Sequence, residues 1–469
     1  MCTTILIGKN ASRDGSTIIG RNCDTFAVDT PMRFYVREHN DKQDEYLKGI
    51  LNKFKMKLPT KAYRCQLTPQ VNMEKLGRFS ECGFNEKNVG MSATESFYAN
   101  KRVLACDPLV EDGISEDFIT DLVLPYIDSA RNGIEYLGKL VARYGSREGN
   151  GVIFSDKNDV WYMEILTGHH WVAMRIPDDA CAIVANQVSI QEIDFNDTEN
   201  FMYSDGIREF VEDNGLNSNL KGWNSRKIFG TDSEKDRHYN TPRVWFSHKY
   251  LNKSVDESPV SSELPFIFYA DRKLSVDDAQ YVLRSHYNET EYDPCTASGD
   301  VIKKGLFRPI GLNRTQNSHI MQVRNSVPEE ISTIMWLSLG GHVFSPYVAF
   351  YGNSKDTDKS FSNTGMEWDL KDAFWMYRTA AALVNGNYSK MIEKNIDYRD
   401  ECYLEQLKMI RESDKVVANL KPEVVLEYLT NKNYEIVETM RVKTMKYIGT
   451  LVTKSLEYSK LTFNMDANL

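Results

Sequence analysis

The sequence predicts a layered α+β fold built on antiparallel sheets, and three observations carry that prediction. The first 25 residues read as a β-hairpin, and residues 118–184 give helical periodicity followed by closely spaced strands. From Glu367 onward the chain turns helical. Helices followed by a run of strands do not form the alternating pattern of a parallel βαβ sheet.

Each element has a local reason. Thr3-Thr-Ile-Leu-Ile is β-rich, Asn10 to Gly15 carries turn chemistry including Asp14-Gly15, and Thr17-Ile-Ile-Gly resumes extended structure. Residues 36–75 are polar and ambiguous. Asn85-Glu-Lys-Asn reads as a turn before a short strand at Val89 to Ala93. Phe118 to Ile127 is a candidate helix. In a second, Ile134, Leu137, Val141 and Tyr144 stand at spacings of 3, 4 and 3 before a stop at Gly145. Strands follow at Val152-Ile-Phe, Val160 to Ile165, Trp171 to Ile176 and Ala182 to Val184. Ser275 to His286 reads as a helix with Ser275 as N-cap and Asp277-Asp278 in its first turn.

Residues 331–350 are strand-like. Further helices are expected from Glu367 to Asn385, stopping at Gly386, and from near Tyr403, Pro422 and Tyr434. In the last of these, Val437, Met440, Ile448 and Leu451 share a face. No linker, repeat or low-complexity tract divides the chain. Residues 2–469 are therefore read as one domain, of which about 366–460 is a mainly helical C-terminal region.

Composition excludes several classes. Of 469 residues, 41% are hydrophobic and 11% aromatic, enough for a sizeable core and too much for a disordered chain. With 57 Lys+Arg against 66 Asp+Glu the net charge is −9 and there is no basic block, so neither nucleic acid nor an anionic membrane is an expected partner. The stretch Ile331 to Phe344 is broken by Ser338, Gly340 and His342 and is too short to span a bilayer. The eight cysteines are scattered without a CxxC pair, which fits neither a zinc ribbon nor a disulfide scaffold. With no apolar signal region near the start, the expected location is the cytoplasm. P-loop, GxGxxG, HExxH and GxSxG signatures are absent, and no cofactor is expected.

Cys2 stands out. Removal of Met1 would leave Cys2 with a free α-amine, and an N-terminal nucleophile carries its own base. Ordinary pKa values of about 7.7–8.0 for the amine and about 8.5 for the thiol make proton transfer between them nearly balanced. The hairpin register sets Cys2 opposite the neighbourhood of residue 22, within about one place, and so beside Arg21-Asn22-Cys23-Asp24. An arginine there favours thiolate, and an aspartate can orient the α-ammonium. A plain surface pair of Arg21 with Asp24 is the alternative.

Met-Cys-Thr-Thr followed by Gly20-Arg-Asn-Cys-Asp24 resembles the cysteine-type N-terminal nucleophile (Ntn) hydrolases. Within them it is similar to the broad-specificity dipeptidases of lactic acid bacteria and related Gram-positives (the PepD group), to which the secernins are related. Bile-salt hydrolases and penicillin V acylases are more distant. Further blocks resemble the family in family order: Gly83-Phe-Asn-Glu-Lys, Ser92-Ala-Thr-Glu-Ser, Trp161-Tyr-Met-Glu-Ile, Gly168-His-His-Trp-Val, Ala185-Asn-Gln, Asn240-Thr-Pro-Arg-Val-Trp, His286-Tyr and Asn313-Arg-Thr-Gln-Asn-Ser-His-Ile.

The resemblance implies an αββα four-layer sandwich and a thioester mechanism on dipeptide substrates. In it Cys2 is the nucleophile, Arg21 and Asp24 flank it, and Asn186 helps to bind the oxyanion. Glu95 takes the place of an asparagine of the acylase relatives, and is expected to bind the α-ammonium of a dipeptide. Arg243 loosely matches a second active-site arginine, here assigned to substrate binding. His169-His170 point to opposite faces of a strand and are assigned to structure, and Cys23 to packing. His286 and His319 lack a third ligand at recognisable spacing, so no metal is expected. An acylase on N-acyl substrates and a non-catalytic secernin-like protein are the alternatives. The acidic charge and the long C-terminal helices permit a homo-oligomer without specifying one.

Overall fold

A computed structural model describes residues 2–296 and 298–458. The first strand, Cys2–Ile7, pairs antiparallel with Thr17–Asp24, so the hairpin loop spans 8–16 and Cys2 stands directly opposite Cys23. This is within one place of the expected register. The two strands lie near the middle of a seven-stranded sheet, in the order Ile267–Phe268, Cys181–Val184, Cys2–Ile7, Thr17–Asp24, Thr315–Val323, Thr333–Leu339 and Val348–Tyr351. A second sheet has six strands, in the order Phe201–Tyr203, Trp171–Arg175, Val160–Ile165, Gly149–Ser155, Gly90–Phe97 and Cys82–Phe84.

Alternation of side chains along the strands defines the layers. Leu6, Ile19 and Met321 of the first sheet pack with Phe84, Ile153 and Tyr162 of the second, which forms the inter-sheet core. On the outer face of the first sheet, Ile5, Ile7 and Ile18 pack with Val276, Ala279 and Leu283 of the helix Val276–Arg284. On the outer face of the second, Val152, Phe154 and Trp161 pack with Ile134, Leu137 and Val141 of the helix Ala130–Tyr144. The result is the four-layer αββα sandwich.

Several element boundaries differ from the sequence reading. The candidate helix Phe118 to Ile127 is a short α-helix, Ile119–Val123, that tightens to 3₁₀ at Leu124–Tyr126, where Pro125 has no N–H to continue the ladder. The helix expected from Glu367 starts at Ala373, and residues 366–372 form turns in which Asp372 Oδ2 accepts from Gly365 N at 2.9 Å. The helix expected near Tyr403 starts at Tyr388 and runs unbroken to Val417. Those expected near Pro422 and Tyr434 are one helix, Pro422–Glu457, because nothing between them stops helical hydrogen bonding. The ambiguous segment 36–75 forms short hairpin strands, Tyr35–Arg37 with Cys65–Leu67 and Tyr46–Lys48 with Lys55–Lys57. Residues 459–469 of the expected domain lie outside the described residues.

Candidate active site

Cys2 and Thr4 on one strand, with Arg21 and Cys23 on the next, point into the inter-sheet space like Leu6 and Ile19 beyond them. At this end of the sandwich the apolar core therefore gives way to a polar cluster. Arg21, fully buried, crosses to the second sheet and uses every N–H. Nη1 donates to Cys2 Sγ at 3.1 Å and to Thr94 O at 2.9 Å, and Nε donates to Ser92 Oγ at 2.8 Å. Nη2 pairs with Glu81 Oε2 at 2.5 Å and also reaches Ala93 O at 2.6 Å. Glu81 enters the strand Cys82–Phe84, which lies close against Cys65–Leu67 because Gly83 has no side chain: a Cβ there would stand 1.8 Å from Gln66 O.

The electrostatics favour thiolate at Cys2. Its thiol is held well below the usual value, first by a hydrogen bond from Cys23 and then by the charges of the N-terminal amine and Arg21, against the opposing effect of burial. The Cys23 thiol is pushed up in turn, so it stays a donor. Burial pushes Glu81 up to about 7 although Arg21 pulls it down. Asp24 is held below the usual carboxylate range: burial raises it, but Arg308 and Thr315, both bonded to its carboxylate, lower it further.

Asn186 follows the strand Cys181–Val184 and Arg243 lies on the helix Thr241–Leu251. Arg243 is fully buried and all five of its N–H groups are engaged. Nη1 donates to Cys2 O and to Thr3 Oγ1 at 2.7 Å, and Nη2 donates to Asn186 Oδ1 at 2.9 Å and Asn240 Oδ1 at 2.8 Å. Nε donates to Tyr239 O at 2.9 Å. Arg243 thus fixes the Cys2 backbone and the Asn186 amide and has no donor left for another group. Asn186 Nδ2 donates to Ser96 O at 2.7 Å and Glu95 Oε1 at 3.1 Å. Glu95 is fully buried between the sheets, with Thr4 Oγ1 donating to Oε2 at 2.8 Å, and burial pushes its carboxyl up to about 8.

A cavity of 380 Å³ opens on the cluster. Cys2, Cys23, Asp24, Glu81 and Glu116 line it, with apolar walls that include Phe26, Met32, Leu51 and Phe79. Asn186, Glu95 and Arg243 stand behind this wall rather than on it. The whole arrangement presents a thiol of lowered pKa at the edge of a partly apolar recess of small-molecule size.

Of the remaining sequence candidates, His169 bonds Asp107 at 2.9 Å and His170 bonds Ser204 at 3.0 Å, both in the turn before Trp171. His319 bonds Ser92 Oγ at 2.8 Å, and burial beside Arg21 holds it neutral. Folding brings two further ligand types to His286, which the sequence spacing does not show: Asp293 and Cys295 come within 4.8 Å of it. Its Nδ1 bonds Asp293 at 2.7 Å and its Nε2 meets Tyr388 Oη at 3.1 Å, and the Asp293 and Cys295 contacts outweigh burial to push it up to about 9. Without an ion, this pairing favours the protonated ring, and a metal would have to displace that proton to bind.

The sequence matches the profile of Peptidase family C69 over residues 1–401. This chain belongs to that family. Among similar proteins, "Probable dipeptidase" of Latilactobacillus sakei is 49% identical over 468 residues, covering 100% of this chain and 98% of the relative. "Probable dipeptidase B" of Lactococcus lactis subsp. lactis is 37% identical, covering 99% and 98%. "Dipeptidase A" of Lactobacillus helveticus is 36% identical with the same coverage. A crystal structure of a conjugated bile acid hydrolase variant from Clostridium perfringens aligns with TM-score 0.31 and 11% identity, over 78% of this chain and 94% of that one.

Sequence reasoning on this C69 chain missed Glu81, Ser92, Thr94, Glu116 and Arg308 and assigned Cys23 to packing. Glu81 and Glu116 carry no local signal, because tertiary folding alone brings them to the site. Cys23 did carry one, since the register that set Cys2 opposite residue 22 or 23 also set the two thiols together.

Proposed function

We propose that this chain is a cytoplasmic cysteine dipeptidase of broad specificity that uses Cys2 as nucleophile. The observation that carries the reading is the Cys2 thiol on the wall of a substrate-sized cavity, hydrogen-bonded to a buried arginine. Loss of Met1, which lies outside the described residues, frees the α-amine of Cys2. That amine takes the thiol proton, and Asp24 orients the resulting ammonium. The thiolate attacks the carbonyl carbon of the scissile peptide bond.

Asn186 Nδ2 exchanges one of its two present acceptors for the oxyanion. A donor of this kind is worth about 2.7–4 kcal/mol of barrier. The α-ammonium then protonates the leaving nitrogen, and the C-terminal amino acid departs and leaves a thioester on Cys2. Water, deprotonated by the same amine, attacks the thioester and releases the N-terminal amino acid with the thiol restored. Arg243 is a positioning residue here: it holds the Asn186 amide and the Cys2 carbonyl.

The test is the release of free amino acids from a panel of dipeptides and their N-acetyl counterparts. The expected result is release from the free dipeptides only. Release confined to the acetylated set would make the protein an acylase. Release from neither, once Met1 is shown to be gone, would remove the enzymatic reading.

A further inference from the structure

The cavity at Cys2 holds a carboxylate that the mechanism above leaves unused. Glu116, in the turn before the helix Ile119–Val123, lines it together with Asp24 and Glu81. The other two are each met by a cation: Asp24 by Arg308, Glu81 by Arg21. Glu116 is not. Its Oε2 accepts from Thr94 Oγ1 at 2.9 Å and Ser96 Oγ at 2.8 Å, and among the described residues no lysine, arginine or histidine pairs with it. Glu148 beside it has the same sign and is itself paired with Arg147 at 3.5 Å. Glu148 Oε2 accepts from Glu116 N at 3.4 Å, and burial followed by the Glu116 charge pushes the Glu148 carboxyl up to about 7. Glu116 is half-buried on the cavity wall, where a bound cation would meet its carboxylate with little competition from solvent.

We propose that Glu116 receives the α-ammonium of the substrate's N-terminal residue, whose side chain then lies against Met32, Leu51 and Phe79. The proposal rests on the dipeptidase reading and deepens it. An ammonium group has three N–H donors, and three acceptors converge here: Glu116 Oε1 and the lone pairs of the Thr94 and Ser96 hydroxyls. The ammonium nitrogen stands only about 2.5 Å from the carbonyl carbon under attack, two covalent bonds away. The protein links the two groups through two residues: Arg21 Nη1 bonds both Cys2 Sγ, at 3.1 Å, and Thr94 O, at 2.9 Å, and the Thr94 hydroxyl bonds Glu116. Glu95, the sequence candidate for this role, is fully buried behind the wall, and Thr4 and Asn186 occupy its two oxygens.

Glu116→Gln keeps an acceptor for both hydroxyls and removes only the charge, so the fold has no reason to change. The expected result is a fall in kcat/KM of about 10- to 100-fold on a free dipeptide with an apolar N-terminal residue, chiefly through KM. Activity on the N-acetyl dipeptide stays as low as before, and Glu116→Asp restores part of the loss. Glu95→Gln, acting through Asn186, lowers kcat rather than raising KM. A Glu116→Gln enzyme with unchanged KM would overturn the proposal, as would a Glu95→Gln enzyme showing the KM effect instead. Calorimetry of dipeptide binding to Cys2→Ala, with and without Glu116→Gln, separates this site from the chemistry. If the wild type releases no amino acids, the dipeptidase reading fails, while charge-dependent binding of the amine still sustains the site.

Discussion

Cys2 and Cys23 face each other across one rung of the hairpin, and their ionisations are divided: the Cys2 thiol is held low and the Cys23 thiol high. The hydrogen bond from Cys23 is the largest influence lowering Cys2, ahead of Arg21. Cys23→Ala should therefore raise the pH at which Cys2 becomes nucleophilic. Iodoacetamide pulses at a series of pH values, with alkylation at Cys2 read by peptide mass spectrometry, would show the midpoint moving up. An unmoved midpoint would assign the lowering to the charges of the N-terminal amine and Arg21 instead. At this scale the sequence was informative where chemistry is local. Cys2, Arg21 and Asp24 could be read from one hairpin, whereas Glu81 reaches Arg21 across 60 positions and has no sequence pattern to announce it.

Hydrogen bonding of the strand edge, rather than hydrophobicity alone, explains how the C-terminal helices attach. Val348–Tyr351 ends the seven-stranded sheet, and an unpaired edge is a liability. Two buried amides cover it. Gln406 Oε1 accepts from Ala349 N at 2.7 Å, and Asn433 Oδ1 accepts from Tyr351 N at 2.8 Å. Asn433 Nδ2 also donates to Tyr351 O at 3.2 Å. Asn433→Leu keeps the volume and orphans the N–H of Tyr351, whose carbonyl retains Gln66 Nε2 at 3.1 Å, at a cost of about 1–3 kcal/mol in urea unfolding. An unchanged midpoint would show that solvent replaces the amide.

The sequence revealed that these helices exist and that Val437, Met440, Ile448 and Leu451 share a buried face. Their lengths were less legible. Long helices with polar faces show no internal stop, so starts at Tyr403 and Tyr434 were read inside continuous helices. The N-cap at Ser275 was legible because it is a local signal, and it forms a complete capping box with Asp278.

Over the whole molecule, several groups hold protons in the folded state that they lose when unfolded. Burial pushes Glu81 and Glu148 up to about 7 and Glu95 and Glu164 up to about 8, and the Asp293 pair pushes His286 up to about 9. In the unfolded chain these carboxyls ionise near 4.3 and the histidine near 6.5. Between pH 7 and 9 the folded state therefore binds more protons, and stability should fall as pH rises. Cys2, whose folded value is lowered, opposes this as a single group. Thermal unfolding followed from pH 7 to 9 checks the sign, and a Tm that rises across that window would contradict it. The αββα layering itself was implied by the family blocks. The placement of Asn186 and Arg243 behind the Cys2 wall depends on how the two sheets close, which no linear pattern records.

The most direct test of the account is the intact mass of the protein, acid-quenched within milliseconds of mixing with a dipeptide. The account predicts a chain lacking Met1 that gains the acyl mass of the N-terminal residue, with the adduct mapped to Cys2 and absent from Cys2→Ala. Turnover that persists in Cys2→Ala, or an acyl adduct on any other residue, would contradict it.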